Sequence, residues 1–531
     1  ILQSGSISLP VPNAGQKTLV AFSDPLGSGQ QHLVQVDANG VTCWPNLGHG
    51  RFDQPIVLPG FSIPEQDFNP DQVYLADVDG SGAVDVIYAY PDRLAIFRNQ
   101  SGNQFSAPLD IALPPGVHYD RTCQLQAADV QGLGLASLLL IVPHMKTHHY
   151  VLHLTKEKPW LLTETRNNMG AVQVLKYRSS AQFWLDEKAE AKEHRASPPS
   201  CHLPFPLHTL WRTETHDEIT GNHLVSEITY RHGSWDGKER EFRGFGYVAV
   251  QDTDYVATND DTNNVAFPSL TCSWYATGID VIDTACISSF WSGDDNSLTA
   301  FTPRFTSGES DDEAECSAEE QQQYAFWLTR AMKGLLLRTE LYGLDGSELA
   351  KIPYRITEQR LQARLIEKKG RMPTVWPSVI ESRSYLYERV AADPQCSQQI
   401  TLRSDRYGQP LRVVNVNYPR RIRPAINPYP DTLPETLFTS SYDEQQQKLY
   451  LLFSQSSWYH LDNLPKGEWI TNLPDKTRSD IFTVELDKLP SGGMSLEILN
   501  SDDSPIADSN PYSLAGQQQT YWLDINNTPM A

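Results

Sequence analysis

The stretch Tyr74–Tyr90, YLADVDGSGAVDVIYAY, places Asp77, Asp79 and Asp85 around Gly80 and Gly82. Alternating carboxylates around glycines are the pattern from which calcium loops are built. The side chains of Asp77, Asp79, Ser81 and Asp85 with the Ala83 carbonyl would supply about five of the 6–8 oxygens that Ca²⁺ takes. The same residues have a second reading, because aspartates in turns also cap neighbouring backbone amides through their own side chains. The loop is therefore a candidate metal centre or a structural staple, and in neither case a catalytic site.

Self-comparison extends the motif into a repeat, which has to be sought before any single motif is trusted. Thr42–Pro55 (TCWPNLGHGRFDQP) and Ala95–Pro108 (AIFRNQSGNQFSAP) align without a gap at a period of 53 residues, pairing Trp44 with Phe97, Asn46 with Asn99, Phe52 with Phe105 and Pro55 with Pro108. The loop recurs on the same frame as Asp24–Gly29, Asp77–Gly82 and Asp129–Gly134, and the middle copy alone keeps all its carboxylates. Each loop precedes a β-branched, apolar segment and then a turn, which predicts several short strands per repeat. A repeat of about 50 residues built from short strands has the size of one β-propeller blade. The fold class expected is all-β, with the paired aromatics packing between blades.

The bulk composition is consistent with a large globular protein. At 531 residues the chain is long enough for several domains with cores. A formal charge of −22, from 65 acidic and 43 basic residues, argues against nucleic acid as a partner, since its readers need clustered cations. Leu135–Val142 (LASLLLIV) is far shorter than the roughly 20 residues that span a bilayer, so no direct membrane span is expected. The seven cysteines are scattered and never at CxxC spacing, which predicts free thiols. Position 1 is isoleucine and no signal-peptide pattern follows, so the chain reads as a piece of something longer.

The loops resemble the FG-GAP repeats of integrin-like propellers. Asn167–Lys188, Leu203–Asn222 and above all Ser226–Thr253 resemble the middle region of TcB components of bacterial insecticidal Tc toxin complexes, a region shared with SpvB-type virulence proteins. The most specific string is Arg240-Glu241-Phe242-Arg243-Gly244-Phe245-Gly246, followed by Asp252-Thr253. Leu335–Leu349 and Leu402–Pro419 resemble the same family, the latter like a YD-type strand-turn-strand unit of Rhs shells. The resemblance implies propeller blades followed by Rhs-type antiparallel shell strands. It also implies a secreted toxin complex in which a TcC-type Rhs protein completes the shell and the propeller docks on, and gates, a TcA-type channel subunit. In that family the autoprotease and the toxic enzyme belong to the TcC partner, so this chain is expected to be non-enzymatic. Its acidic surplus suits a basic, unfolded toxin cargo. The rival readings are a calcium-dependent, integrin-like adhesin and, more weakly, a carbohydrate-active propeller enzyme.

The expected organisation is blades over residues 1–160, a β-rich middle region carrying the REFRGFG string over 161–256, a β-rich region with one helix and the YD-like unit over 257–430, and C-terminal shell strands over 431–531. Breaks are expected at Glu187–Ser200, Thr258–Asn264, Gly308–Gln323 and Tyr418–Glu435, which have loop composition. The single helix is placed at Glu319–Leu337, acidic at its start and basic near its end. Asp236-Gly237 marks a hairpin turn. Arg240 and Arg243 are expected to form a solvated or interstrand charge ladder with Glu239 and Glu241, and Phe245, between two glycines, a buried ring. His144, His148 and His149 lie between strand-like segments and lack the acidic partner of a zinc-protease motif, so they are expected on the surface.

Overall fold

The computed structural model describes residues 7–11, 17–146, 148–256, 267–279, 287–308, 313–368, 370, 372–421, 423–427, 429, 431–462 and 469–523. The expected break at Thr258–Asn264 lies outside them. The chain is predominantly β and divides into two compact units. The first comprises residues 1–165, 175–186 and 205–210, and the second comprises the remainder.

In the first unit the 53-residue period appears as three successive antiparallel sheets of four, four and three strands. His32–Asp37 and Gly40–Trp44 of the first sheet recur as Asp85–Ala89 and Arg93–Phe97 of the second. Gln124–Ala128 and Ser137–Ile141 open the third on the same frame. The two central strands of the second sheet are buried on both faces. Val86, Tyr88, Ala95 and Phe97 pack with Val34, Val36 and Phe61 of the first repeat, while Ile87, Ala89, Leu94 and Ile96 pack with Leu125, Leu138 and Leu140 of the third. Because side chains alternate along a strand, both sets must be apolar, and the run Asp85–Ala89 is wholly buried. Of the period-matched aromatics, Trp44, Phe97 and Phe105 are buried.

The second unit is dominated by one long antiparallel sheet. Asn222–Asp236, Glu241–Val256, Ser269–Tyr275, Leu336–Gly343, Arg355–Glu367, Thr374–Leu386, Gln395–Ser404, Pro410–Asn417, Leu449–Leu461, Ile470–Val484 and Tyr512–Gln519 pair in chain order. The YD-like segment is a strand-turn-strand unit, its turn fixed by Asp405, whose carboxylate accepts the amides of Tyr407 and Gln409, both at 2.8 Å. The expected helix forms over Ala318–Ala331, begun by a capping box between Ser317 and Glu320. It ends six residues earlier than the sequence suggested, because Leu336 onward is recruited as a strand. A second helix, Ser180–Glu193, occupies part of what reads as a linker at Glu187–Ser200, its Ala, Glu and Lys content favouring helix over loop.

One face of the long sheet buries charge. Arg338, Glu358 and Arg383 stand directly opposite one another on three adjacent strands. Glu358 takes Arg338 on one oxygen and Arg383 on the other, the latter at 2.7 Å. On the same strand pair Arg360 faces Glu381 at 2.6 Å and reaches Glu497 at 2.7 Å. These arginines also hold an irregular segment, residues 290–303. Arg338 donates to the Trp291 carbonyl at 3.1 Å, Arg383 to Thr299 at 2.9 Å and Arg360 to Thr302 at 2.9 Å. Phe290 and Phe301 lie against the guanidinium groups of Arg338 and Arg383 at 4.7 and 4.3 Å.

Removing one partner of a buried ion pair typically costs about 3–5 kcal/mol, because the other is left uncompensated. Glu358→Ala should lower unfolding free energy by about that amount, and adding Arg383→Met should recover part of it. Urea melts of the two variants check this, and additive losses would show that the residues are not coupled. A second expectation concerns Gly60, whose φ is +100° and where a Cβ would fall 2.1 Å from the Phe105 carbonyl oxygen. Gly60→Ala should cost more than Gly29→Ala, since Gly29 (φ +79°) faces open space and bears only the roughly 1–2 kcal/mol of left-handed strain. Equal melting temperatures for the two variants would contradict that contact.

Candidate functional site

The three loops share a scaffold that is independent of any metal. Each opens with an aspartate whose two oxygens accept backbone amides. Asp24 takes Ser28 and Gly29 at 3.0 and 2.6 Å, Asp77 takes Gly80 and Gly82 at 2.7 and 2.9 Å, and Asp129 takes Leu133 and Gly134 at 3.0 and 2.7 Å. Successive loops are stitched by an equivalent backbone bond, Val84 to the Asp24 carbonyl at 3.0 Å and Ala136 to the Asp77 carbonyl at 3.4 Å. The close approach needs glycine. Gly80 has φ +70°, and a Cβ there would fall 2.4 Å from the Leu135 side chain.

Asp85 belongs to a second repeated device. Its counterparts on the repeat frame are His32 and Ser137, and all three are buried. The Asn46 amide donates to His32 Nδ1 at 2.9 Å, and one period on, the Asn99 amide donates to Asp85 Oδ1 at 2.7 Å. The other Asp85 oxygen accepts from Val78 at 2.9 Å. His32 and Asp85 thus pin turn amides that would otherwise be left without an acceptor, whereas the Ser137 hydroxyl pairs with His153 Nδ1 at 3.0 Å. Applying the 53-residue offset to Asp85 leads to His32, so this role was recoverable from the sequence, although the carboxylate pattern draws attention to metal first.

Only the middle loop gathers three carboxylates. Oxygens of Asp77, Asp79 and Asp85 lie within 4.8 Å of one another, and Ser81 Oγ lies 3.4 Å from the Ala83 carbonyl oxygen. Of the five expected donors the three carboxylates are thus gathered, while Ser81 and Ala83 are placed against each other. Burial pushes the Asp85 carboxyl up to about 6 against the opposing pull of the Asn99 and Val78 amides, and the neighbouring Asp79 and Asp77 charges add to the rise. The donor set is hard and oxygen-only, as calcium requires.

The REFRGFG string serves a different purpose. Arg240 is exposed in the hairpin turn with φ +52°. Of the solvated or interstrand ladder expected, Arg243 takes the interstrand form and is fully buried, paired across the hairpin with Asp236 and, at 3.1 Å, with Glu241 on its own strand. The cause is a β-bulge. Ser234 faces Gly244 and Trp235 faces Phe242, so Arg243 is the extra residue, re-aimed inward beside Gly244 at φ +102°. Glu241 in turn holds Lys333 at 2.7 Å and Arg330 at 3.2 Å at the C-terminal end of the helix Ala318–Ala331. Phe245 is half-buried, packed on Tyr230 at 4.9 Å and Phe242 at 5.4 Å. The glycine that makes room for its ring is Gly233, opposite it on the paired strand, rather than its own neighbours. Six cysteines, Cys43, Cys123, Cys201, Cys272, Cys316 and Cys396, are free thiols, and burial pushes Cys43 up to about 12. His148 and His149 belong to no metal-binding group among the described residues.

Comparison with known proteins places this geometry. The family described as the insecticide toxin TcdB middle/N-terminal region matches residues 99–278, and the TcdB middle/C-terminal region matches residues 327–473. No curated protein matches the chain. Among solved structures, a TcdB2–TccC3–Cdc42 crystal structure matches with 54% identity and a TM-score of 0.92 over 100% of this chain and 25% of that one. A TcdB2–TccC3 crystal structure matches with 55% identity and a TM-score of 0.91 over the same shares. A Photorhabdus luminescens Tc holotoxin pore matches with 55% identity and a TM-score of 0.92 over 100% of this chain and 24% of that one. The chain therefore spans about a quarter of the length of the solved chains it matches. With both TcdB regions present in order and a fold shared along its whole length, the chain belongs to the TcB-type components of insecticidal Tc toxin complexes.

Proposed function

We propose that this chain is a non-catalytic part of a secreted toxin complex. The first unit supplies β-propeller blades that dock on, and gate, a TcA-type channel. The second supplies wall strands of an Rhs-type shell, completed by a TcC-type protein around a basic, unfolded cargo. The observation that carries this reading is the match at 54–55% identity over the whole chain to TcdB2 in complexes with TccC3 and to a holotoxin pore. The long antiparallel sheet suits a wall, because every interior strand is paired on both edges. The acidic surplus suits a lining that attracts a basic polypeptide without holding it, since each exposed contact is worth only about 1 kcal/mol in water. Co-expression of the full-length protein with TcC-type and TcA-type partners should yield a stable complex on size exclusion. Binding of the protein alone to cells, with no such complex, would favour the adhesin reading instead.

Within that complex Asp77, Asp79, Ser81, Ala83 and Asp85 hold Ca²⁺ as a stabiliser of the stacked loops. A ligand present at a hundredfold excess over its Kd adds about 2.7 kcal/mol to a folded state that alone binds it. Asp79→Ala should abolish the rise in melting temperature on adding calcium. In chelator it should cost less than about 1 kcal/mol, since its carboxylate accepts only one neutral amide bond, from Ser81 at 3.0 Å. Asp85→Ala should cost about 2–5 kcal/mol with or without calcium, because two buried amides lose their acceptor. A melting temperature indifferent to calcium in the unsubstituted protein would reduce the loop to a staple.

A further inference from the structure

The hairpin joining His208–Asp217 to Asn222–Asp236 carries a constellation that the toxin reading does not use. Glu214 and His216 are two residues apart on one strand and so share a face, while His223 stands directly opposite His216 on the next. The two imidazole rings are stacked, with centroids 3.9 Å apart and 18° between planes. Their Nε2 atoms both approach the same oxygen, Glu214 Oε2, at 3.7 Å from His216 and 3.6 Å from His223. The other Glu214 oxygen accepts from Arg212 Nε at 2.8 Å, and Arg212 is itself held by Glu227 across the strand pair at 2.5 Å. Asp217 fixes the turn beyond, accepting from the Ile219 amide at 2.9 Å and the Thr220 hydroxyl at 2.6 Å.

We infer that Glu214, His216 and His223 form a site for a divalent first-row transition metal, zinc by preference. With metal–ligand bonds of about 2.0–2.1 Å, the donors of a tetrahedral zinc are separated by about 3.3–3.4 Å. The two Nε2–Oε2 separations exceed that by only a few tenths of an ångström, and turning the stacked imidazoles about their side-chain torsions, until both Nε2 lone pairs point at one centre, is the rearrangement that closes the site. Imidazole with carboxylate is a donor set that suits zinc, whereas the oxygen-only Asp77 loop suits calcium, so the two sites select different ions. Arg212 orients Glu214 from behind, as outer partners of metal-binding carboxylates do. Glu214 is nearly covered and His216 is 41% exposed, so solvent reaches one side of the site and a water can take the fourth position. The metal would tie together the two strands at the turn end of the hairpin. This inference stands independently of the assembly proposed above.

The test is titration of the full chain with Co²⁺ alone at neutral pH, followed by displacement with Zn²⁺. One equivalent should bind with the intense visible absorption of tetrahedral cobalt, resist excess Ca²⁺ and be displaced by zinc. His216→Gln and His223→Gln, made separately, should each weaken binding by at least about a hundredfold, beyond the roughly 10–100-fold that outer-partner changes cost, with far-ultraviolet circular dichroism unchanged. His149→Gln should leave binding as it was. The unsubstituted chain decides the matter even where a variant does not fold. An absence of stoichiometric binding, an octahedral cobalt spectrum, or binding that survives both histidine substitutions would overturn the inference.

Discussion

An arginine facing a glutamate across two β-strands, with one partner buried and the other nearly covered, is the constraint on which the second unit depends. Side chains in a strand alternate between faces, so slipping one strand by a single residue exchanges its entire inner and outer sets. In strands as long as Arg355–Glu367 and Thr374–Leu386, aliphatic residues alone discriminate poorly between registers two residues apart, because one apolar side chain substitutes for another. The row Arg338–Glu358–Arg383 and the pair Arg360–Glu381 remove that degeneracy. A shift of two residues sets Glu358 beside Glu381 or leaves Arg383 without a carboxylate, and either error is costly in a site that water does not reach. Buried ion pairs often add little net stability over apolar packing. Their effect here is on specificity, and it extends to the irregular segment 290–303, whose carbonyls are met by the same guanidinium groups.

The first unit meets the same demand for paired buried polar groups with shorter pieces. Its sheets have three or four strands, and its middle sheet is enclosed by apolar neighbours on both faces. Charge has no room between such layers, so polar residues concentrate in the loops. There each first aspartate satisfies two amides, and in the first two copies the residue eight positions later accepts a further turn amide. Histidine and aspartate accept the same amide there because the requirement is a buried hydrogen-bond acceptor and not a particular charge, while Ser137 in the third copy turns its hydroxyl to His153 instead.

How much of this was legible in the sequence follows from the range of the interactions. The repeat was legible because the same contacts recur at a fixed offset and leave the same residues behind, as with Asn46 and Asn99. The helix Ala318–Ala331 was legible from its cap and charge order, which are local. The helix Ser180–Glu193 was hidden behind a polar composition that suits a linker equally well. The burial of Arg243 could not be read from alternation, because a bulge breaks the alternation at that residue. The Glu214, His216 and His223 group was equally hidden. Its members look unremarkable along the chain, and only the hairpin register sets His223 opposite His216.

The middle loop shows how a staple and a metal centre can share residues without conflict. Each carboxylate oxygen has two lone pairs, and the amides of Gly80, Gly82, Ser81, Val78 and Asn99 each take one. The remaining acceptor capacity lies in the same loop, where burial first and the neighbouring Asp79 and Asp77 charges second push the Asp85 carboxyl up. In the flanking copies the same scaffold stands with one aspartate, so the scaffold does not require an ion. The two extra carboxylates, Asp79 and Asp85, add like charge beside Asp77. A bound cation would offset it, which is the physical ground for proposing calcium at this copy of the repeat and at neither neighbour.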